Sequence, residues 1–219
     1  MKDYQWIFFD LDGTLTDPQT GIFNSIRYAL GKLRIDEPDS DQLKEFIGPP
    51  LRDSFQRHFG LSPQTAWQAV EYYREYFSSQ GMFENLVYPG IPELLAALRR
   101  DGKRLAVATS KPTVFSERIL THFDLLAFFE QVVGSNLDGS RVEKGEVVAE
   151  LMTRISSDSR SQMLMIGDRK HDIIGARINQ IDSLGVAYGY GTLEELRESG
   201  PTYLVNSVSE ISELLLKAM

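Results

Sequence analysis

Two acids one residue apart, in Asp10-Leu11-Asp12-Gly13-Thr14, follow directly on the apolar run Trp6 to Phe9. A carboxylate pair at the end of a strand suits acid–base work or the binding of a hard cation. Residues two apart in an extended segment share a face, and Gly13 lets the chain turn at once, so both carboxylates are expected in one pocket. The competing reading is a surface turn whose acids cap the next helix. It is disfavoured because a match of this kind arises by chance in roughly one chain in a thousand of this length.

A second acidic cluster, Gly167-Asp168-Arg169-Lys170-His171-Asp172, follows the apolar run Met163 to Ile166. Asp172, four residues after Asp168, falls on the same side of a first helical turn. An acid there is also favoured by the helix dipole, so Asp172 argues for a site only together with Asp168. Opposite Asp10, these groups supply the few oxygens that suit Mg²⁺ with its retained waters. With no cysteine and three histidines in the chain, Zn²⁺ is poorly served. His171 reads as a loop residue.

Two segments between these clusters suit an anion. Leu105 to Ala108 runs into Thr109-Ser110-Lys111-Pro112, which offers hydroxyls and backbone N–H groups at a strand end just before a helix. Lys144 opens the helix expected over Gly145 to Ile155, where a cation works against the dipole. That placement hints at a role, but Lys111 competes for it, and spacing does not separate the two.

The elements that must position these residues are short apolar runs alternating with amphipathic stretches: Trp6 to Phe9, Leu105 to Ala108, Gln131 to Val133, Met163 to Ile166, Ser183 to Val186 and Tyr203 to Val205. Runs apolar on both faces imply a parallel sheet covered by helices on each side, an α/β doubly wound fold. Ile91 to Arg100 reads as one such helix, with Gly102 in the left-handed position after it. About ninety residues separate the first two strands, far more than one crossover needs. The excess is helical in pattern, with stripes at Ile22, Ile26, Leu30 and Leu33 and at Val70, Tyr73 and Phe77. A helical domain is therefore expected at 17–84, inserted into a discontinuous core of 1–16 and 85–219. Its aromatics Phe55, Phe59, Trp67, Tyr72, Tyr73 and Tyr76 read mostly as bundle core. In the loop Ile47 to Arg52, Gly48 with Pro49-Pro50 fixes a shape from which Arg52 meets a second anionic group, unless the prolines start a helix over Leu51 to Phe59 and Arg52 lies on its solvated face.

The 219 residues carry a formal charge of −8, with no basic patch, which excludes a nucleic-acid partner. No apolar run approaches the roughly 18 residues of a membrane span, and the start lacks a signal-peptide pattern. A cytoplasmic protein, monomeric or homodimeric, is expected.

Asp10-Leu11-Asp12-Gly13-Thr14-Leu15, Thr109, Lys144 and Gly167-Asp168 with Asp172 occur in the order and at the strand ends seen in the haloacid dehalogenase superfamily, which the whole chain resembles. The inserted helical domain, Ile47-Gly48-Pro49-Pro50-Leu51, Thr109-Ser110-Lys111-Pro112 and Gly167 to Ala176 resemble its phosphoglycolate phosphatase-type branch, which carries a helical cap. Two departures stand out: Ser110 replaces a common asparagine, and Lys144 lacks the following prolines of many relatives.

The resemblance implies a Mg²⁺-dependent phosphatase acting on small phosphorylated metabolites. Asp10 is then the nucleophile and Asp12 the general acid and base. Asp10, Asp168 and the Asp12 carbonyl hold the ion, and Asp172 acts through water or orients Lys144. Thr109, Ser110 and Lys144 hold the phosphoryl oxygens, and Gly48, Arg52 and Lys111 bear on specificity. An acid at Asp12 separates phosphomonoesterases from the superfamily's dehalogenases, phosphonatases and ion pumps. 2-Phosphoglycolate is the substrate this branch suggests. The alternatives are a 5'-nucleotidase or pyrophosphatase, a phosphoglucomutase-like phosphotransferase, and a catalytically silent regulatory binding protein.

Overall fold

The computed structural model describes residues 2–155 and 159–216, and the chain divides into two compact units, Pro18–Leu86 and Met1–Asp17 with Val87–Met219.

The smaller unit is helical. Its helices are α1 (Gln19–Leu33), α2 (Ser40–Lys44), α3 (Leu51–Phe59) and α4 (Pro63–Tyr76), the last continuing into a π-turn, Phe77–Gly81. Ser62 caps α4 by accepting from the Thr65 amide, and Pro63 follows in the first turn, where a missing N–H costs nothing. Ile22, Ile26 and Leu30 of α1 are buried, as are Val70 and Tyr73 of α4 and Phe77 beyond it. The aromatics divide: Phe55 and Tyr73 are core, while Phe59, Trp67, Tyr72 and Tyr76 are half-buried. Among them Tyr76 donates through its hydroxyl to Glu84 at 3.0 Å. Gly48 takes φ 104° ahead of α3. Arg52, in the first turn of α3, is 57% exposed and lies 3.5 Å from Asp53.

In the larger unit the strands of the main sheet are β1 (Trp6–Phe9), β2 (Arg104–Pro112), β3 (Gln131–Ser135), β4 (Met163–Gly167), β5 (Asp182–Val186) and β6 (Tyr203–Val205). They form a parallel sheet in the order β3-β2-β1-β4-β5-β6, with Trp6 in register with Arg104 on one side and Met163 on the other. The chain runs outward from β1 in one direction, then returns to its other side, so the order reverses between β1 and β4. Ligands bind outside the carboxyl ends of strands at such a reversal. Several strands outrun their apolar stretches, because backbone pairing continues through polar residues. β2 runs on through Thr109-Ser110-Lys111 to Pro112, with a register shift against β3 between Ala108 and Pro112.

The helices of this unit are α5 (Ile91–Arg100), α6 (Thr113–His122), α7 (Lys144–Ile155), α8 (Lys170–Ile178), α9 (Leu193–Ser199) and α10 (Val208–Leu215), of which α5 to α9 lie in the crossovers between strands. Val147, Val148 and Leu151 of α7 and Ala176 of α8 pack on Trp6, Phe8, Ala106, Ala108, Met163 and Met165. The alternate residues Ile7, Phe9, Leu105, Val107, Leu164 and Ile166 are equally buried and serve the opposite face. His171 is helical rather than in a loop: Arg169 is extended, and its N–H donates to the Asp172 carboxylate, so α8 starts at once. Among the described residues no helix is long and apolar enough to cross a membrane.

Candidate active site

Asp10 leaves β1 and Asp168 leaves β4, the two strands flanking the reversal. Asp172 comes from the first turn of α8, and Lys144 is the first residue of α7. Lys144 joins these elements. Its Nζ lies 2.8 Å from Asp10 Oδ1, 2.8 Å from Asp172 Oδ1 and 3.0 Å from the Ala108 carbonyl that it donates to. Burial alone would lower the lysine pKa, but the Asp10 and Asp172 carboxylates outweigh it and hold Lys144 above its ordinary value. The ammonium therefore stays charged, and its cost against the dipole of α7 is offset by two anions.

One carboxylate oxygen each of Asp10, Asp168 and Asp172 lie within 4.8 Å of one another, and all three residues are buried. Asp168 accepts from the Tyr190 amide at 2.7 Å and the Thr14 hydroxyl at 3.3 Å. Burial, with Asp172 and Asp10 adding, raises Asp168 well above the usual carboxylate range. Burial also pushes Asp172 up to about 6 against the pull of Lys144. Asp12, whose side chain is 12% exposed, meets Lys111 Nζ at 2.8 Å. Four carboxylates thus face two ammonium groups, leaving two negative charges without a counterpart when all are ionised. A divalent cation on hard oxygens matches both the deficit and the donor set.

Thr109 is buried at the start of the irregular segment of β2, and its Oγ1 accepts from the Lys111 amide at 3.3 Å. The neighbouring carbonyl of Ser110 accepts from Ser135 Oγ at 2.8 Å. Asp10, Asp168, Asp172 and Lys144 thus come together around one point, and Lys111 joins Asp12. Gly48 and Arg52 belong to the helical unit.

Sequence reasoning missed Tyr188-Gly189-Tyr190-Gly191, which follows β5 and wraps Asp168. Tyr188 donates to the Thr14 carbonyl at 2.9 Å, and Tyr190 donates through its hydroxyl to Asp17. Burial holds both phenols protonated, above the normal tyrosine range. A side chain at Gly189 would collide with the Asp168 side chain and the Gly13 carbonyl, while Gly13 itself turns with φ 82°. Glycine alternating with tyrosine past an apolar strand was the available signal.

The family model for haloacid dehalogenase-like hydrolases matches residues 7–186. A 5'-nucleotidase of Pseudomonas aeruginosa is 46% identical over 212 residues, spanning 97% of this chain and 96% of its own. The tyrosine-protein kinase PtkA of Mycobacterium tuberculosis is 38% identical, over 96% of this chain and 72% of its own. Among solved structures, a predicted phosphatase from Clostridium acetobutylicum superposes with a TM-score of 0.93 at 47% identity, covering 98% of this chain and 99% of that one. Strand order, converging carboxylates and these likenesses agree: the chain belongs to the haloacid dehalogenase-like hydrolase family.

Proposed function

We propose that this phosphatase hydrolyses small-metabolite phosphomonoesters through an aspartyl-phosphate on Asp10, with nucleoside 5'-monophosphates ahead of 2-phosphoglycolate as substrates. The observation that carries the reading is the environment of Asp10. The Leu11 amide and Lys144 both bind its Oδ1, at 2.7 and 2.8 Å, and orient Oδ2 for attack. A carboxylate with one oxygen anchored by an amide and a buried lysine presents the other as a nucleophile. The name of the relative at 46% identity favours the nucleotide class.

In the first half-reaction an Asp10 oxygen bonds to phosphorus, the bond from phosphorus to the ester oxygen breaks, and Asp12 gives that oxygen its proton. In the second, water attacks phosphorus, Asp12 takes the water's proton, and the bond to Asp10 breaks. Products are the alcohol and inorganic phosphate, with both aspartates restored. Lys144 and the Thr109-Ser110 segment hold the phosphoryl oxygens. Asp10, Asp168 and the Asp12 carbonyl would hold Mg²⁺, with Asp172 keeping Lys144 in place. The ion supplies charge neutralisation between the anionic nucleophile and the phosphate dianion. The helical unit Pro18–Leu86 serves as the substrate-selecting cap, with Gly48 shaping its loop and Arg52 meeting a second anionic group.

A second reading, transfer of the phosphoryl group to a hydroxyl instead of water, is favoured by the name of the 38% identical relative. One experiment tests both. Nucleoside monophosphates, 2-phosphoglycolate, sugar phosphates and pyrophosphate are assayed with Mg²⁺ for alcohol and phosphate release. Equal release of both products, lost on chelation and reduced at least about 10³-fold in Asp10→Asn, is expected. Alcohol in excess of phosphate supports transfer, and full activity of Asp10→Asn overturns the mechanism.

A further inference from the structure

The structure assigns Lys111 a positioning role on Asp12: its ammonium holds one carboxylate oxygen so that the other faces the leaving group. The inference rests on the phosphatase reading above. Spacing left Lys111 and Lys144 in competition for one anion, but the structure separates them, giving Lys144 to Asp10 and Asp172 and Lys111 to Asp12.

The Lys111–Asp12 pair is built in. The side chains are 7% and 12% exposed, and Nζ lies 2.8 Å from Oδ2. The other oxygen, Oδ1, is shielded from solvent and has no hydrogen-bond partner among the described residues. A pair so far removed from water is a poor source of stability, because desolvation cancels most of the attraction. What it does supply is orientation, since an unanchored carboxylate rotates between equivalent poses.

The backbone under Lys111 is fixed as well. In the irregular stretch of β2 the Ser110 carbonyl accepts from Ser135 Oγ at 2.8 Å, and just past it Thr113 Oγ1 accepts from the Gly134 amide at 2.9 Å. Gly134 lies so close to the Lys111 carbonyl that a side chain there would collide with it. Neighbouring strand β3 therefore sets where Lys111 stands, and Lys111 sets where Asp12 points. In the proton-transfer step the proton passes from Asp12 to the ester oxygen as its bond to phosphorus breaks. An Asp12 turned away slows that step only where the leaving oxygen needs the proton.

Leaving-group dependence is thus a readout that a merely structural role would not move. Wild type, Lys111→Met and Lys111→Arg are assayed with Mg²⁺ on glycerol 2-phosphate, a poor leaving group, and p-nitrophenyl phosphate, a good one. For Lys111→Met, kcat on the alkyl ester is expected to fall on the order of tenfold further than on the aryl ester. Lys111→Arg is expected to recover most of the difference, because a guanidinium also reaches the oxygen. The ratio is taken within one preparation, so it is independent of the folded fraction, and Lys111→Gln gives the same ratio if Lys111→Met is insoluble. Equal losses on both esters, or a rise in KM with the kcat ratio unchanged, overturn the positioning role. A wild-type protein inert toward both esters overturns the phosphatase reading, and this inference with it.

Discussion

At the amino ends of the strands, Asp182 accepts from Lys2 Nζ at 2.8 Å and Tyr4 Oη at 2.6 Å, Lys103 meets Asp3 at 2.7 Å, and Glu130 is gripped by Arg104 and Arg99. At the carboxyl ends of the same sheet, Asp10, Asp12, Asp168 and Asp172 share Lys111 and Lys144. The first edge matches charge locally and at the surface. The second buries an excess of one sign. Groups arranged for the fold's own stability find their counter-charges within the chain, whereas the groups proposed to hold a cation and a phosphate are left short of them.

Removing the buried cation shared by Asp10 and Asp172 should show this most strongly. Lys144→Met leaves Asp10 and Asp172 buried without it, and about 3–5 kcal/mol of stability should be lost in denaturant unfolding of the metal-free protein. A loss within about 0.5 kcal/mol would mean that the carboxylates are protonated or hydrated and the contrast overstated. Neutralising the excess should act the other way. Asp168→Asn relieves a crowded, buried carboxylate, so metal-free stability should rise by about 1–2 kcal/mol while Mg²⁺ ceases to raise Tm. A lower metal-free Tm would break the comparison.

The smallest effect belongs to the paired edge. Hydrogen bonds from Arg104, joined by Arg99, hold Glu130 below the usual glutamate range. Its stabilisation is therefore complete above the unfolded-state value of about 4.3 and lost as pH falls through the lower folded-state value. The pair is partly exposed and solvent-screened, so Glu130→Gln should cost under about 1 kcal/mol at pH 7 and nothing below that window. Phosphatase activity at pH 7 should not change, and a loss of activity would show that the two ends are coupled.

What could be read beforehand follows the same division. The apolar runs and the acids just past Phe9 and Ile166 are local features, because a strand end and a carboxylate sit side by side in the chain. The partition of the two lysines was not legible, since it depends on the register shift between β2 and β3. Nor was the wrap of Tyr188 to Gly191 around Asp168, where the requirement for glycine comes from atoms about twenty residues away in the chain and from Gly13. Arg52 remained undecided because a helix start after two prolines and a ligand-binding loop have the same composition.

The position of β1 has a consequence for how the chain acquires its structure. It is the earliest strand of the sheet in chain order and lies in the sheet's interior, pairing with Arg104–Val107 on one side and Met163–Ile166 on the other. Its neighbours are made about a hundred and about a hundred and fifty residues later, so during synthesis the apolar run Trp6 to Phe9 waits uncovered through most of the chain. Asp10 follows it directly, so its cluster with Asp168 and Asp172 cannot exist until β4 has docked. Affinity for the proposed ion should therefore appear only after β4 and α8 have docked, which would make metal binding a reporter of the assembled sheet interior.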